Sequence, residues 1–209
     1  MIRPGGFRGA AFGSADEGDP RHDASIRTAL STELGIQDEW AIVRQVHGAN
    51  VRVATEPGYL GEADAIVSTV PGLPVVIATA DCIPIVVEGE GGVAVIHAGW
   101  RGVVSGVVEA TLAEMRGAGV EPHRAAIGPG IGPCCYEIGP EVAEQFGDRV
   151  SHTEWGATSV DLPGAVADAL EDLVTWRSDA CTYTDGAYHS HRRDRTPERQ
   201  VTVGWLPRD

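Results

Sequence analysis

Two apolar runs, PVVIATADCIPIVV and VAVIH, separated only by EGEGG, constrain this chain more than any other segment. Runs so rich in β-branched residues and joined by a glycine-rich turn predict a buried β-hairpin. With the turn centred between Gly89 and Glu90, Cys82 and His97 stand equidistant from it, and facing residues of a hairpin have Cβ atoms roughly 4.5–5.5 Å apart. A thiol and an imidazole at that distance can share a metal or a proton. A third candidate, His47 in RQVHGANV, stands at the mouth of a second predicted hairpin turn, so that two imidazoles and one thiolate can converge on one point.

Asp81 interrupts the first apolar run beside the cysteine. A buried carboxylate needs partners, so it is either an acceptor that fixes the fold or a support for its neighbour. Pro84 calls for an edge, a bulge or a break just past Cys82, which would turn that side chain out of the ladder.

Along the rest of the chain the pattern is mixed. Asp23 caps a helix predicted to run to Leu34 and stop at Gly35, and WAIVRQVH, VRVAT and ADAIVST read as strands. After His97, AGWRG leads into one helix whose stripe is Val103, Val104, Val107, Val108, Thr111, Leu112 and Met115. His97 would then lie at a strand's C-terminal end before a helix N-terminus, with Arg101 adding charge to an anion pocket. RAAIG reads as a strand, GPGIGPCCYEIG as a loop and Pro140–Phe146 as a helix ended by Gly147. Asp161 and Pro163 open a helix to about Val174, and DACTYT and QVTVGWL are strands around a polar segment. The expectation is a single α/β domain over residues 1–209, a mixed β-sheet flanked by helices.

Charge and composition exclude several classes. A net charge of -14 opposes binding to nucleic acid or to an anionic membrane surface. All 16 basic residues are Arg, so there is no Schiff-base or phosphate-loop lysine, and an anion must be met by Arg or backbone N–H groups. The start MIRPGGFRGAAFG lacks the apolar core of a signal peptide, and Val75–Val87 is too short to span a bilayer, which predicts a cytoplasmic protein with reduced thiols. Cys134 and Cys135 are adjacent and have neither zinc-ribbon nor disulfide spacing, so their plain reading is packing, with nucleophile or ligand as the alternative. Trp100 is either a core aromatic or a stacking surface. His189 and His191 would share a face of a strand as a metal-binding doublet, or lie in a solvated polar segment.

The blocks QVHGANV, DAIVST, TADCIPIVV, AVIHAGWRG, AIGPGIGPCCYEIGPEV and CTYTDGAYHSHRRD together resemble the YfiH-type family. That family is also known as laccase-domain or multicopper polyphenol oxidase proteins, and later as zinc-containing purine nucleoside phosphorylases. The resemblance implies a YfiH-like fold with zinc on His47, Cys82 and His97. It further implies phosphorolysis of adenosine, inosine, guanosine and methylthioadenosine, with adenosine deamination, and purine nucleosides and phosphate as partners. The sequence departs from the family pattern at AAFG, within VDLPGAVADAL and at RTPER.

Four chemistries compete for the same residues. Cys82, His97 and Arg101 would be the catalytic set of a zinc phosphorylase, with Arg101 on phosphate. Cys82 and His97 alone would make a cysteine hydrolase. Two His and one Cys also form a copper ligand set, so copper can occupy the site. A multinuclear oxidase nevertheless needs more imidazoles than the 7 His supply, and no Met stands near as an axial ligand. A metal-stabilised interaction module is the non-enzymatic reading.

Overall fold

A computed structural model describes residues 1–208. In chain order it contains β1 (Ala10–Phe12), α1 (Ala24–Leu34), β2 (Ala41–Arg44), β3 (Val51–Ala54), β4 (Gly58–Glu62), β5 (Ala65–Ser68), β6 (Val75–Thr79), β7 (Ile83–Gly89) and β8 (Gly92–Ala98). There follow α2 (Trp100–Val104), α3 (Val107–Gly117), β9 (Pro122–Ile127), α4 (Pro140–Phe146), β10 (Val150–His152), β11 (Thr158–Val160), α5 (Leu162–Asp168), β12 (Val174–Arg177), α6 (His191–Asp194) and β13 (Gln200–Gly204). Mixed α/β architecture with helices flanking the strands is as expected. The strands divide among a five-stranded sheet (β1-β13-β6-β2-β4), a six-stranded sheet (β12-β9-β7-β8-β5-β3) and the small pair β10-β11.

The large sheets stack face to face. Val75 and Ile77 of β6 pack with Val86 of β7, Val93 and Val95 of β8 and Ile66 of β5. The other face of the six-stranded sheet, with Ile83, Ile85, Val87 and Ile96, is covered by Val107, Val108, Leu112 and Met115 of α3 and by Leu162 and Val166 of α5. The outer face of the five-stranded sheet, with Val76, Ala78 and Val201, meets Leu30 and Leu34 of α1. Every central strand is therefore buried on both sides, which is why its sequence reads as a continuous apolar run rather than an alternation.

The long run is two strands, not one. β6 lies in one sheet and β7 in the other, and the break falls at residues 80–82, where Asp81 has φ 88°. Pro84 lies inside β7 instead of marking the break. Its carbonyl accepts from Gly128 N–H at 2.8 Å, so its missing donor faces the end of β9 and costs the β7–β8 ladder nothing.

The first hairpin exists, but its register differs from expectation. Gly89 pairs with Gly92, so the turn centres between Glu90 and Gly91 and His97 faces Pro84 rather than Cys82. The second hairpin is absent: β2 and β3 belong to different sheets. The predicted helix over 103–115 is two helices, because Gly106 takes φ 79° and turns the chain between α2 and α3. The stripe survives in α3, while Val104 is exposed.

The α1 cap is as predicted, with Asp23 accepting from Ser25 N–H at 2.8 Å, and α4 spans the predicted residues. α5 stops at Asp168, because Val174 begins β12, which pairs parallel to β9. DACTYT forms turns instead of a strand. His189 and His191 do not share a strand face, since Ser190 between them caps α6. Among the described residues no helix is long and apolar enough to cross a membrane.

Candidate metal centre

Strands β2, β4 and β6 run parallel in one sheet, so their C-terminal ends lie together. Each is followed by a crossing to the other sheet, and the three crossings supply His47, Asp64 and Cys82. His97 comes to the same seam near the end of β8. The ligand atoms of His47, Cys82 and His97 all lie within 4.8 Å of one another, so the expected triad is assembled, though by sheet crossings and not by hairpin symmetry.

Asp64, which sequence reasoning passed over, organises the group. Its side chain is fully buried and lies one residue beyond the Ala65–Ile96 pair of the β5–β8 ladder, opposite His97. Oδ1 accepts from the His97 ring Nδ1 at 2.8 Å and from His47 N–H at 2.8 Å, while Oδ2 accepts from Gly48 N–H at 2.7 Å. One carboxylate thus shapes the loop that carries His47, where φ is 60°, and leaves Nε2 of His97 free to face the sulfur. The available signal was an acid at the head of the fully buried strand Ala65–Ser68.

Burial pushes the Asp64 carboxyl up, but His97 and the Gly48 and His47 N–H groups outweigh it and hold the group below its ordinary range. Burial likewise raises the Cys82 thiol, and the His97 charge with hydrogen bonds from both imidazoles brings it down to about 6. His97 moves the opposite way, to about 9, because the Cys82 thiolate and Asp64 overcome its burial. Metal-free, the site is a thiolate–imidazolium pair on a buried carboxylate.

Gly99 is required by close approach. A Cβ there would stand 3.0 Å from His47 Cδ2 and 3.2 Å from Cys82 Sγ. This donor set of two imidazole nitrogens and one sulfur, with its imidazole tautomer fixed and its surroundings clear, fits zinc in a three-ligand site and equally accepts copper.

The triad opens into a cavity of about 760 Å³ whose wall includes Tyr59, Thr79, Trp100, Tyr136 and five arginines. Arg21 and Arg44 are ion-paired with Asp19 and Glu62, which leaves Arg101, Arg192 and Arg199 as cavity cations outside those pairs. The Arg101 guanidinium lies 4.3 Å from the centre of the Trp100 ring. Trp100 packs against the core, as one of its expected readings has it, and also lines the cavity. Burial and the Cys82 charge push the Tyr136 phenol up to about 12, so it stays a neutral donor. The buried Thr79 hydroxyl has no hydrogen-bond partner among the described residues.

Asp81 fixes the fold. Oδ1 accepts from the Thr182 hydroxyl and Oδ2 from Arg192 N–H, each at 2.7 Å. His191 lines the cavity. Cys134 and Cys135 lie away from the triad and gather with Cys181.

The family model for multi-copper polyphenol oxidoreductase laccase matches residues 2–207. The purine nucleoside phosphorylase of Deinococcus radiodurans is 40% identical over 205 residues, covering 91% of this chain and 79% of that one. The purine nucleoside phosphorylase YfiH of Shigella flexneri is 32% identical over 203 residues, covering 90% and 82%. The crystal structure of YlmD from Geobacillus stearothermophilus superposes with a TM-score of 0.82 at 25% identity, covering 99% of this chain and 97% of that one. With its His47–Cys82–His97 centre set at the seam of two stacked sheets, this chain belongs to the YfiH family, described as multi-copper polyphenol oxidoreductase laccase.

Proposed function

We propose that the protein is a zinc-dependent purine nucleoside phosphorylase acting on adenosine, inosine, guanosine and methylthioadenosine, with adenosine deaminase activity. The observation that carries this reading is the convergence of His47, Cys82 and His97 on a cavity that combines aromatic rings with guanidinium groups. Relatives named purine nucleoside phosphorylase at 32–40% identity support it.

Phosphorolysis joins a phosphate oxygen to C1′ of the ribose as the C1′–N9 bond breaks, and the purine leaves with a proton. In a chain of net charge -14, cationic side chains facing one cavity offer phosphate its binding energy. Arg101 is the residue assigned to it, held beside the triad by the Trp100 ring. The five-residue α2 adds little dipole, so the guanidinium, not the helix end, carries this role. Trp100 and Tyr136 offer the purine flat apolar surface, and Thr79 offers a hydroxyl in need of a partner. Bound to His47, Cys82 and His97, zinc would supply a Lewis acid at the cavity floor.

Product analysis of adenosine incubated with and without phosphate tests the class. Adenine and ribose 1-phosphate should form only with phosphate, and not in Cys82→Ala. Inosine formed without phosphate would show the deaminase activity. Arg101→Ala should weaken phosphorolysis more than deamination, and equal loss of both would refute the division of roles.

A second reading rests on one observation, the Asp64–His97–Cys82 series, which has the order of an acid, base and nucleophile. His47 has no task in such a hydrolase. Stoichiometric zinc that protects Cys82 from alkylation favours the metalloenzyme, and a metal-free reactive thiol favours the hydrolase.

A further inference from the structure

A second cluster of potential ligands consists of sulfur alone. Cys134 and Cys135 sit in the loop after β9, and Cys181 follows β12, the parallel neighbour of β9. The backbone fixes these segments independently of the thiols. Cys135 and Tyr136 N–H groups both donate to Gly132 O at 3.1 Å, and Thr182 N–H donates to Gly130 O at 3.0 Å. On this frame Cys134 Sγ lies 3.1 Å from Cys135 Sγ and 3.6 Å from Cys181 Sγ, and all three sulfurs are within 4.8 Å of one another.

The geometry points to a second metal site, in which Cys134, Cys135 and Cys181 bind one soft, closed-shell cation, Zn2+ or Cu+, that clamps the 130–136 loop to residues 181–184. Two metal–sulfur bonds of about 2.3 Å at a tetrahedral angle place their sulfurs on the order of 3.8 Å apart, close to the 3.6 Å between Cys134 and Cys181, while Cys134 and Cys135 at 3.1 Å would part on binding. Gly132 N–H donates to Cys181 Sγ at 3.2 Å, the kind of supporting bond that ligating thiolates receive. Gly132 lies against both sulfurs: a Cβ there would stand in van der Waals contact, 3.4 Å from Cys134 Sγ and 3.6 Å from Cys181 Sγ. A groove of about 200 Å³ leads to Cys134 and Cys181 from the surface.

The clamp bears on the first site through two contacts. Thr182, next to Cys181, holds Asp81 beside Cys82, and Tyr136, next to Cys135, lines the large cavity. The role is structural: three thiolates suffice for Cu+ and a solvent oxygen would complete Zn2+, while the adjoining groove of about 200 Å³ is small beside the 760 Å³ cavity of the first site.

Elemental analysis and Cd2+ titration of the Cys82→Ala protein test this separately from the proposed activity, since that background disables the first site. One equivalent of zinc or copper should remain after purification, the element found naming the native ion. After its removal, one equivalent of Cd2+ should bind at micromolar concentration with sulfur-to-cadmium charge-transfer absorption, and should protect Cys134, Cys135 and Cys181 from alkylation. Adding Cys181→Ser should reduce the bound metal from one equivalent to none. If that variant does not fold, Cys134→Ser, which changes a half-buried sulfur in the loop, makes the same comparison. Absence of metal from the purified Cys82→Ala protein, uptake only at millimolar Cd2+, or a Cys134–Cys181 disulfide in the purified protein would each overturn the assignment.

Discussion

The two clusters of potential ligands differ in what surrounds them. Around Cys82 stand two imidazoles, a fully buried carboxylate and a cavity with arginines, whereas around Cys181 stand two further sulfurs and backbone N–H groups. The first site carries its own charge compensation, the Cys82 thiolate against the His97 imidazolium and that ring against Asp64. Burial pushes the Cys134 thiol up, and Cys181 adds to this against a hydrogen bond with Cys135 that lowers it, while burial and then Cys134 and Cys181 push Cys135 up. Equal closeness of donors therefore does not mean equal chemistry. The histidine site is prepared for polar ligands and reaction, while the sulfur site is left for an incoming cation to complete.

The largest effect expected from breaking this contrast is at Asp64. Asp64→Asn removes the charge facing His97 and sets an amide N–H against backbone donors. Metal affinity of the first site should fall roughly 10–100-fold, and urea unfolding should show a loss of roughly 3–5 kcal/mol, the range for a broken buried ion pair. The second site should keep its metal. An Asp64→Asn protein with unchanged zinc affinity and midpoint would mean that the carboxylate does not organise the triad.

Gly99→Ala is narrower, because its new methyl first meets His47 and Cys82. Overpacking of this kind costs about 1–3 kcal/mol. The change should appear mainly as weaker metal binding and lower turnover, read by isothermal titration and steady-state kinetics. Normal metal binding in this variant would contradict the tight approach of the triad to Gly99.

Metal removal should expose the difference in thiol acidity. In stripped protein, iodoacetamide should modify Cys82 before Cys134 or Cys135 at pH 7, and the Cys82 rate should rise with pH through about 6, as the depressed thiol deprotonates. Peptide mapping across pH 5–9 checks the order, and simultaneous labelling of Cys82 and Cys134 would remove the contrast.

The smallest effect belongs to Gln45. Its side-chain amide donates to Ala78 O at 2.7 Å and accepts from Ala78 N–H at 2.9 Å, extending the β2–β6 pairing just before the His47 loop. Gln45→Ala should cost about 1–2 kcal/mol, roughly one per hydrogen bond, with metal stoichiometry at both sites retained. Loss of the first metal would assign this amide to the site as well as to the sheet.

Much of the fold was legible where one residue acts locally. The Asp23 cap, the Pro140 start of α4 and the apolar stripe of α3 need only neighbouring residues to make sense. Less legible were β4 and β12, short strands defined by pairing partners far along the chain, and the division of Val75–Val87 between two sheets. Burial on both faces erased the alternation that would have shown where one strand ended. His47, Cys82 and His97 do come together, but for reasons other than the expected hairpin symmetry, since a two-residue shift in hairpin register gives His97 a proline as its partner.

By itself the sequence determined the donor types, the exclusion of lysine chemistry, the β-rich core with flanking helices and the family, because each depends on residue identity or on short-range pattern. Only the tertiary structure decided that three sheet crossings meet at one end, that Asp64 joins two of the loops there, and that Cys181 meets Cys134 and Cys135. The reason is physical: positions 17, 33 and 47 residues apart come into contact through strand order and sheet stacking, and no local periodicity carries that information.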